Sequence, residues 1–148
     1  MFYIDTLELQ EHIINLFMQL KPLAKKDGTY HDIGIFFSEG TPQNIEGSYC
    51  YSGDHGYHYC HTERGAVWQD NVTNSLFEIT YWVLKDQVFL MAMDYASQHE
   101  IKGQDTRRIA FQKELEYFDV WGGNLKKRAE IDIDELLKIA PYQDHLFS

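Results

Sequence analysis

The chain has 148 residues, of which 44% are hydrophobic and 15% aromatic, so it can bury a core within one domain spanning residues 1–148. Its formal net charge of −10 argues against nucleic acid as a partner, because phosphates would repel it, and favours a basic partner. The N-terminal residues lack a signal-peptide pattern, and the longest apolar run, residues 88–93, is too short to cross a membrane. With only two cysteines, we expect a cytoplasmic protein.

The first third of the chain predicts one helix and one strand. Residues 6–20 have apolar side chains at helical spacing, a threonine that could cap the helix, and Pro22 shortly after its end. Residues 25–28 predict an exposed turn, residues 33–37 a short apolar strand, and residues 38–44 a loop.

A β-hairpin is predicted next. Residues 47–51 and 57–62 are rich in tyrosine, which strands favour, and they flank the turn sequence Ser-Gly-Asp-His-Gly at residues 52–56. A second turn at residues 63–65 leads to a third strand at residues 66–69. The pattern therefore predicts an antiparallel meander of three to four strands.

The longest helical signal in the sequence spans about residues 74–102. Asn74 could cap its N terminus and Gly103 its C terminus. Apolar residues occur on nearly all sides of this helix, so the sequence predicts a buried, central helix. Two acids within it, Asp86 and Asp94, are unusual there, since a buried carboxylate is costly unless it is paired.

Two shorter helices are predicted after the long one. Residues 105–121 have helical spacing, and Gly122-Gly123 stops that helix. A final helix is expected from about Ile131 to Pro141. Strands and helices are thus segregated along the chain, which indicates an α+β fold with the antiparallel sheet packed on a helical layer around the long helix.

A structural salt bridge is expected after the long helix. Arg107 and Arg108 follow that helix closely, and a helical hairpin would bring them toward its acids. Arginine binds carboxylates through two parallel hydrogen bonds. Asp94 and Asp105 are closer partners along the chain than Asp86, so we expect these two acids to pair with the arginines; a functional site is the alternative.

Four side chains of the predicted hairpin could bind a metal or act in thiol catalysis: Cys50, His58, Cys60 and His61. If the hairpin closes over residues 54–55, strand alternation places two of them, His58 and Cys60, on one face. The spacing matches neither C-x-x-C nor H-x-x-x-H, and the sequence has no oxyanion-hole signature. We therefore expect no metal, no cofactor and no enzymatic activity; a metal- or thiol-dependent enzyme using this cluster is the alternative.

Three segments in series resemble one bacterial family. They are GYHYCHTERG at residues 56–65, SLFEITYWVLKDQVFLMAMDYA at residues 75–96, and QDTRRIAFQKELEYF at residues 104–118. Together they resemble immunity protein family sixty-three of polymorphic toxin systems. The matching residues are Tyr57, His58, Tyr59, Glu63, Arg64, Gly65, Glu78, Ile79, Tyr81, Trp82, Val83, Asp86, Ala92, Asp105, Arg107, Arg108, Phe111 and Leu115. Phe77 departs from the pattern, because an acid is expected there.

The resemblance implies an intracellular antitoxin that binds and neutralises a cognate toxin domain and has no catalytic activity of its own. Many such toxins are nucleases with basic clefts, so a basic nuclease is an expected partner for an acidic chain. Residues 27–70 contain seven acids and one arginine, interleaved with aromatic residues. The contacts expected on this basis are Asp54, His55, Tyr57, Glu63, Trp68 and Asp70. A solvated sheet face is the alternative, and a homodimer through the tyrosine-rich sheet is compatible with toxin binding.

Overall fold

The structure is a computed structural model that describes residues 3–20, 35–37 and 46–145. The elements, in chain order, are α1 (Thr6–Met18), β1 (Ile35–Phe37), β2 (Gly47–Gly53), β3 (Gly56–Glu63), β4 (Ala66–Thr73), α2 (Leu76–Gln98), α3 (Arg107–Trp121) and α4 (Gly123–Ile139). The α+β class and the long helix are therefore confirmed. The predictions for Pro22, residues 25–28 and residues 38–44 lie outside the described residues.

The four strands form one sheet in the order β1-β2-β3-β4. The last three strands form the expected antiparallel meander, whereas β1 pairs with β2 in parallel. The β2–β3 hairpin closes over Asp54 and His55, as the turn sequence predicts, and Gly53 faces Gly56 across the turn. β4 extends four residues beyond its predicted end at Gln69. Its polar second half pairs with β3 although it lacks the apolar alternation that marks a strand in the sequence.

A β-bulge interrupts the pairing of β3 with β4. His61 faces Gln69 and Thr62 faces Val67, so Trp68 is the extra residue of β4. A bulge of this kind bends an edge strand and redirects a side chain. The sequence contains no clear signal for it.

Contacts divide the chain into two compact units whose boundary falls within α2. The first unit contains Met1–Met18 and Asp32–Leu84, and the second contains Gln19–His31 and Lys85–Ser148. In the first unit, α1 contacts β1 and β2. The apolar stripe of this helix is buried, as its spacing predicts; its members are Leu9, Ile13 and Phe17.

Asp5, and not Thr6, caps the N terminus of α1. The carboxylate of Asp5 accepts a hydrogen bond from the backbone N–H of Glu8 at 2.8 Å, and the Glu8 carboxylate accepts one in return from the Asp5 N–H at 3.5 Å. Thr6 is buried, and its hydroxyl accepts a hydrogen bond from the N–H of Ser52 at 3.0 Å. The threonine therefore ties α1 to β2.

The ends of α2 also differ from the prediction. Ser75, and not Asn74, caps the helix, because its hydroxyl accepts a hydrogen bond from the N–H of Glu78 at 3.1 Å. The helix ends at Gln98, five residues before Gly103. None of the described helices has the length and apolarity needed to cross a bilayer.

The second half of α2 is buried on one side only. Phe89 is 40% exposed and Leu90 is 62% exposed, and Asp86 and Asp94 are exposed on the same side at helical spacing. The prediction that this apolar helix is buried is therefore wrong for one side of its second half. The two acids lie on an exposed stripe, which removes the need for a buried partner.

The second unit also contains α3 and α4. These helices are separated by Gly122, whose φ of +64° favours glycine. α4 begins at Gly123 and not near Ile131, because no proline delays the restart and the apolar positions continue at spacings of four. Its residues Ala129 and Ile133 are buried.

Candidate functional site

The edge of the sheet formed by β4 is exposed along nearly its whole length. Residues 66–72 are all exposed, and β4 is the last strand in the sheet order. Three large apolar side chains lie on it: Val67 is 61% exposed, Trp68 is 69% exposed and Val72 is 47% exposed. Strand edges with free backbone groups and exposed aromatic side chains are common protein-binding surfaces. We call β4 together with the β2–β3 and β3–β4 turns the β4 edge.

Five of the six expected contact residues are exposed and lie along the β4 edge. Asp54 and His55 form the tip of the β2–β3 hairpin, beside the C-terminal end of β4. Glu63 ends β3 beside the start of β4, and Trp68 and Asp70 lie on β4 itself. Residues 46–73 contain four acids and one arginine. The edge therefore combines negative charge with one large aromatic side chain.

Tyr57 is buried, with 3% exposure, and does not belong to this surface. Its hydroxyl accepts a hydrogen bond from the N–H of Ile4 at 3.0 Å, and its ring packs edge-to-face against Tyr3 at 5.4 Å between centroids. The side chain thus holds the residues before α1. The sequence marks Tyr57 only as an aromatic strand residue, and alternation alone does not say which face is covered.

Glu46 orders the β3–β4 turn and was not identified from the sequence. Its two carboxylate oxygens accept hydrogen bonds from the N–H groups of Arg64 and Gly65, each at 3.0 Å. Arg64 has a φ of +52°, unusual for a residue other than glycine, and the Glu46 contact stabilises this conformation. Trp68 also donates a hydrogen bond from Nε1 to the Glu63 carbonyl at 3.4 Å. This end of the edge is therefore ordered before any partner binds.

A polar cluster lies across the middle of the β3–β4 pair and consists of His58, Cys60 and Asp70. Asp70 faces Cys60 across the β3–β4 pair. One oxygen, Oδ1 of Asp70, lies 2.8 Å from Nδ1 of His58 and accepts a hydrogen bond from the Cys60 thiol at 3.3 Å. The His58 ring stacks on Tyr51 with 4.3 Å between centroids and 7° between planes. The His58 side chain is thus held in place by Tyr51 of β2 and by Asp70 of β4.

The structure does not form the catalytic cysteine site that was the alternative interpretation of the sequence. Burial, and then the neighbouring Asp70 carboxylate, raise the pKa of the Cys60 thiol to about 12, whereas a nucleophilic cysteine needs a lowered pKa. His58 directs Nδ1 to Asp70 and not to the thiol. His61 contacts Ser48 and Glu63.

Cys50 is fully buried opposite Tyr59, one position out of phase with Cys60. Strand alternation therefore places Cys50 and His61 on the face opposite to the polar cluster. The four candidate residues do not form one site.

In the second unit, Arg107 connects the start of α3 to the segment after α4. Its guanidinium donates hydrogen bonds to the carbonyls of Ala140 and Pro141, each at 2.8 Å, and to the Asp105 carboxylate at 2.9 Å. Asp105 also accepts a hydrogen bond from the N–H of Gln143 at 2.9 Å. We call this arrangement, together with Arg108, Tyr142 and Asp144, the arginine latch.

Arg108 completes the latch through a partner that the sequence did not indicate. It pairs with Asp144 at 2.8 Å, and its guanidinium lies 4.1 Å from the centre of the Tyr142 ring. Asp94 lies exposed on α2, where its backbone carbonyl accepts a hydrogen bond from the Ser97 hydroxyl. Of the four residues expected in a salt bridge, the structure therefore pairs Asp105 with Arg107, directs Arg108 to Asp144, and leaves Asp94 on the exposed stripe.

The chain is a small acidic α+β protein whose last sheet strand is exposed. Residues 53–135, more than half of the chain, match the family Immunity protein 63. The chain belongs to this family, which confirms the resemblance seen in the three sequence segments. The match begins at the tip of the β2–β3 hairpin and extends into α4. Comparisons with curated proteins and with solved structures find no significant match.

Proposed function

We propose that the protein is an antitoxin that binds a cognate toxin domain and inhibits it without any catalysis of its own, in the cytoplasm of the cell that makes it. Membership of the Immunity protein 63 family supports the toxin as partner. The observation that carries the proposed binding surface is the exposure of β4 from residue 66 to residue 72. Burying such an edge against a partner satisfies its backbone groups and removes apolar surface from water.

Trp68 is the proposed centre of the contact. It is the bulged residue of β4 and the most exposed aromatic side chain of the edge, at 69%. Buried tryptophans contribute heavily to binding energy at the centres of protein interfaces. Val67 and Val72 lie on either side of it along the strand and add apolar area. The partner surface therefore needs a pocket for an indole ring.

The proposed charged contacts surround this centre. Asp54 and His55 lie at one end of the edge, Glu63 lies at the other, and Asp70 lies between them. This distribution of acids fits a partner with a basic surface, as found in the cleft of a nuclease domain, because complementary charge accelerates association and orients the two proteins. A basic nuclease toxin is thus the partner whose chemistry fits best.

The first test identifies a toxin domain among the genes next to this one and uses that domain as the partner. The two proteins are co-expressed, purified together and assayed for toxin activity with increasing amounts of the antitoxin. We expect a stoichiometric complex, full inhibition near one equivalent, and weaker association at high salt, since salt screens exposed charge. A toxin that stays fully active with excess antitoxin would refute the proposal.

A homodimer through the tyrosine-rich sheet is compatible with toxin binding as long as it leaves the β4 edge uncovered. Light scattering over a range of protein concentrations, with and without the toxin domain, separates the two uses. A dimer that covers the β4 edge should dissociate as the complex forms. A dimer that persists in the complex would mean that the dimer contact and the toxin contact lie on different surfaces.

A further inference from the structure

The polar cluster behind the β4 edge has the composition of a metal site. Its donors are an imidazole nitrogen from His58, a sulfur from Cys60 and a carboxylate oxygen from Asp70, and all three ligand atoms lie within 4.8 Å of one another. Nitrogen, sulfur and oxygen donors in this combination are characteristic of zinc, whereas calcium and magnesium prefer oxygen alone.

Strand geometry explains why these three residues converge. His58 and Cys60 are two positions apart on β3, so both side chains point to the same face of the sheet. Asp70 is the direct cross-strand partner of Cys60, and directly paired residues share a face. The ligand side chains thus extend from two hydrogen-bonded strands and not from flexible loops.

Two of the three distances between the donors are within about half an ångström of those that a tetrahedral ion needs, and all three lie within 4.8 Å. Metal–ligand bonds of about 2.0 to 2.3 Å at tetrahedral angles place neighbouring donors roughly 3.3 to 3.6 Å apart. The oxygen of Asp70 lies 2.8 Å from the His58 nitrogen and 3.3 Å from the Cys60 sulfur. Small rotations of exposed Asp70 would lengthen its contact with His58 by the few tenths of an ångström required.

Neighbouring side chains already orient two of the ligands. The His58 ring is held against the Tyr51 ring, which fixes the direction of Nδ1. The Tyr49 hydroxyl accepts a hydrogen bond from Thr62 at 3.3 Å and lies in hydrogen-bonding contact with the Cys60 sulfur. A donor to the sulfur stabilises a metal-bound thiolate, and contacts of this kind increase metal affinity.

The third ligand lies at the solvent side of the cluster. The side chain of Asp70 is 44% exposed, whereas that of His58 is 19% exposed and Cys60 is buried. A metal held by these three residues would therefore keep its fourth coordination position open toward the β4 edge, for water or for a donor from a partner.

We propose that His58, Cys60 and Asp70 bind one Zn²⁺ ion per chain. This site goes beyond the proposed toxin binding and does not depend on it. Bound zinc would link β3 to β4 through side chains and stabilise the edge strand against separation from the sheet.

The test uses the full chain, freed of metal and then titrated with Zn²⁺ in competition with a chromophoric chelator. Co²⁺ in place of Zn²⁺ gives a second signal, because a cobalt–thiolate bond produces a charge-transfer absorption band. We expect one ion per chain, a thiolate band with Co²⁺, and a higher unfolding temperature with Zn²⁺. Binding below one-tenth of an equivalent, or Co²⁺ binding without a thiolate band, would overturn the proposal.

Variants assign the ligands. We expect Cys60→Ser to abolish the cobalt–thiolate band, and Asp70→Asn and His58→Ala to weaken Zn²⁺ binding roughly 100-fold or more. Cys50→Ala and His61→Ala are the matched controls from the opposite face, and they should bind Zn²⁺ like the unmodified chain. Asp70 is exposed, so its variant should fold, and circular dichroism checks this for every variant. Loss of the band in Cys50→Ala, or unchanged affinity in Asp70→Asn, would contradict the assignment.

No toxin takes part in these measurements. A negative result therefore bears on the zinc site alone, while failure of the inhibition assay bears on the antitoxin proposal alone.

Discussion

The arginine latch and the β4 edge use their polar groups in opposite ways. In the latch, Arg107 and Asp105 direct their charged groups to the protein itself, and Asp105 accepts hydrogen bonds from two backbone N–H groups as well as from the guanidinium. On the edge, Trp68 and its neighbours are exposed from residue 66 to residue 72. The latch is thus satisfied internally, and the edge is open to a partner.

This difference assigns separate roles to residues that share one family match. The latch arginines and the edge residues Glu63 and Trp68 all lie within the matched residues 53–135. Their surroundings indicate that the arginines maintain the fold of the second unit, while the edge residues are available for recognition. The family match therefore covers both residues that maintain the fold and residues of the proposed binding surface. Variants of the two regions should separate stability from binding.

The largest expected effect is in the second unit, at the pair formed by half-buried Lys85 and fully buried Glu114. Glu114 is completely buried, forms a salt bridge with Lys85, and its Oε2 has no hydrogen-bond partner among the described residues. Lys85→Met leaves this carboxylate without its counter-charge, so the free energy of unfolding should fall by about 3–5 kcal/mol. Urea unfolding at neutral pH measures it.

The pH dependence of this variant tests the cause. Burial raises the pKa of Glu114, so the folded state favours its protonated form. The loss in free energy of unfolding caused by Lys85→Met should therefore be largest near neutral pH. It should shrink as the pH falls toward the raised pKa of Glu114. Lys138→Met is the control, because Lys138 and Glu135 form an exposed pair. Equal losses in the two variants would contradict the buried-charge explanation.

The next effect concerns the latch. Arg107→Ala removes a hydrogen-bond donor from each of two carbonyls and the guanidinium from Asp105, so the free energy of unfolding should fall by about 1.5–3 kcal/mol. Arg107→Lys should restore little of this free energy, since a lysine ammonium cannot reproduce the planar arrangement of donors in the guanidinium. Lys102→Ala, at an exposed position, serves as the control. Toxin affinity measured on the folded fraction should stay unchanged.

Acid should weaken the latch. The hydrogen bond from Arg107 lowers the pKa of Asp105, and the one from Arg108 lowers the pKa of Asp144. A lowered folded-state pKa means that the stabilisation is present above the unfolded pKa of about 3.9 and is lost as the pH falls through the folded pKa. Asp105→Asn should therefore show a shallower loss of stability below about pH 4 than the unmodified chain. Parallel acid-unfolding curves would exclude the latch as the cause.

A third effect is expected on the edge. Trp68→Ala should weaken toxin binding by about 2 kcal/mol, which is roughly 30-fold, and leave the free energy of unfolding within about 0.5 kcal/mol. Ile139→Ala is the matched control, because Ile139 is an exposed apolar residue of α4 at 83% exposure. Calorimetric titration with the toxin domain measures both. If Trp68→Ala binds like the control, the indole is not the centre of the contact.

Local patterns in the sequence were sufficient to predict the frame of the first unit. The turn sequence at residues 52–56 fixes where the hairpin closes, and the helical stripe of α1 predicts its buried side. For α2, the sequence pattern shows that apolar residues are abundant. It does not show how much surface of other elements packs against the helix. Phe89 and Leu90 consequently remain exposed beside the two acids.

Local sequence patterns do not predict the polar contacts between residues that are far apart in the chain. Glu46 reaches Arg64 and Gly65 across 18 and 19 positions, and Arg108 reaches Asp144 across 36. No local spacing rule connects residues so far apart. The charge of Asp70 marks it as a candidate contact in the sequence, whereas its position beside His58 and Cys60 depends on the register of β3 and β4.

The smallest effect distinguishes charge on the edge from charge elsewhere. The Glu63 side chain is 61% exposed on the edge, and that of Glu135 is 63% exposed on α4, so the two positions are matched in accessibility. Glu63→Lys should slow association with the toxin several-fold and change dissociation little, because an exposed charge acts mainly on the approach of the partner. The cost in affinity should be below about 1 kcal/mol and should diminish at high salt. Glu135→Lys makes the same change in net charge, so an equal slowing in both variants would mean that the toxin responds to the charge of the whole protein and not to the β4 edge.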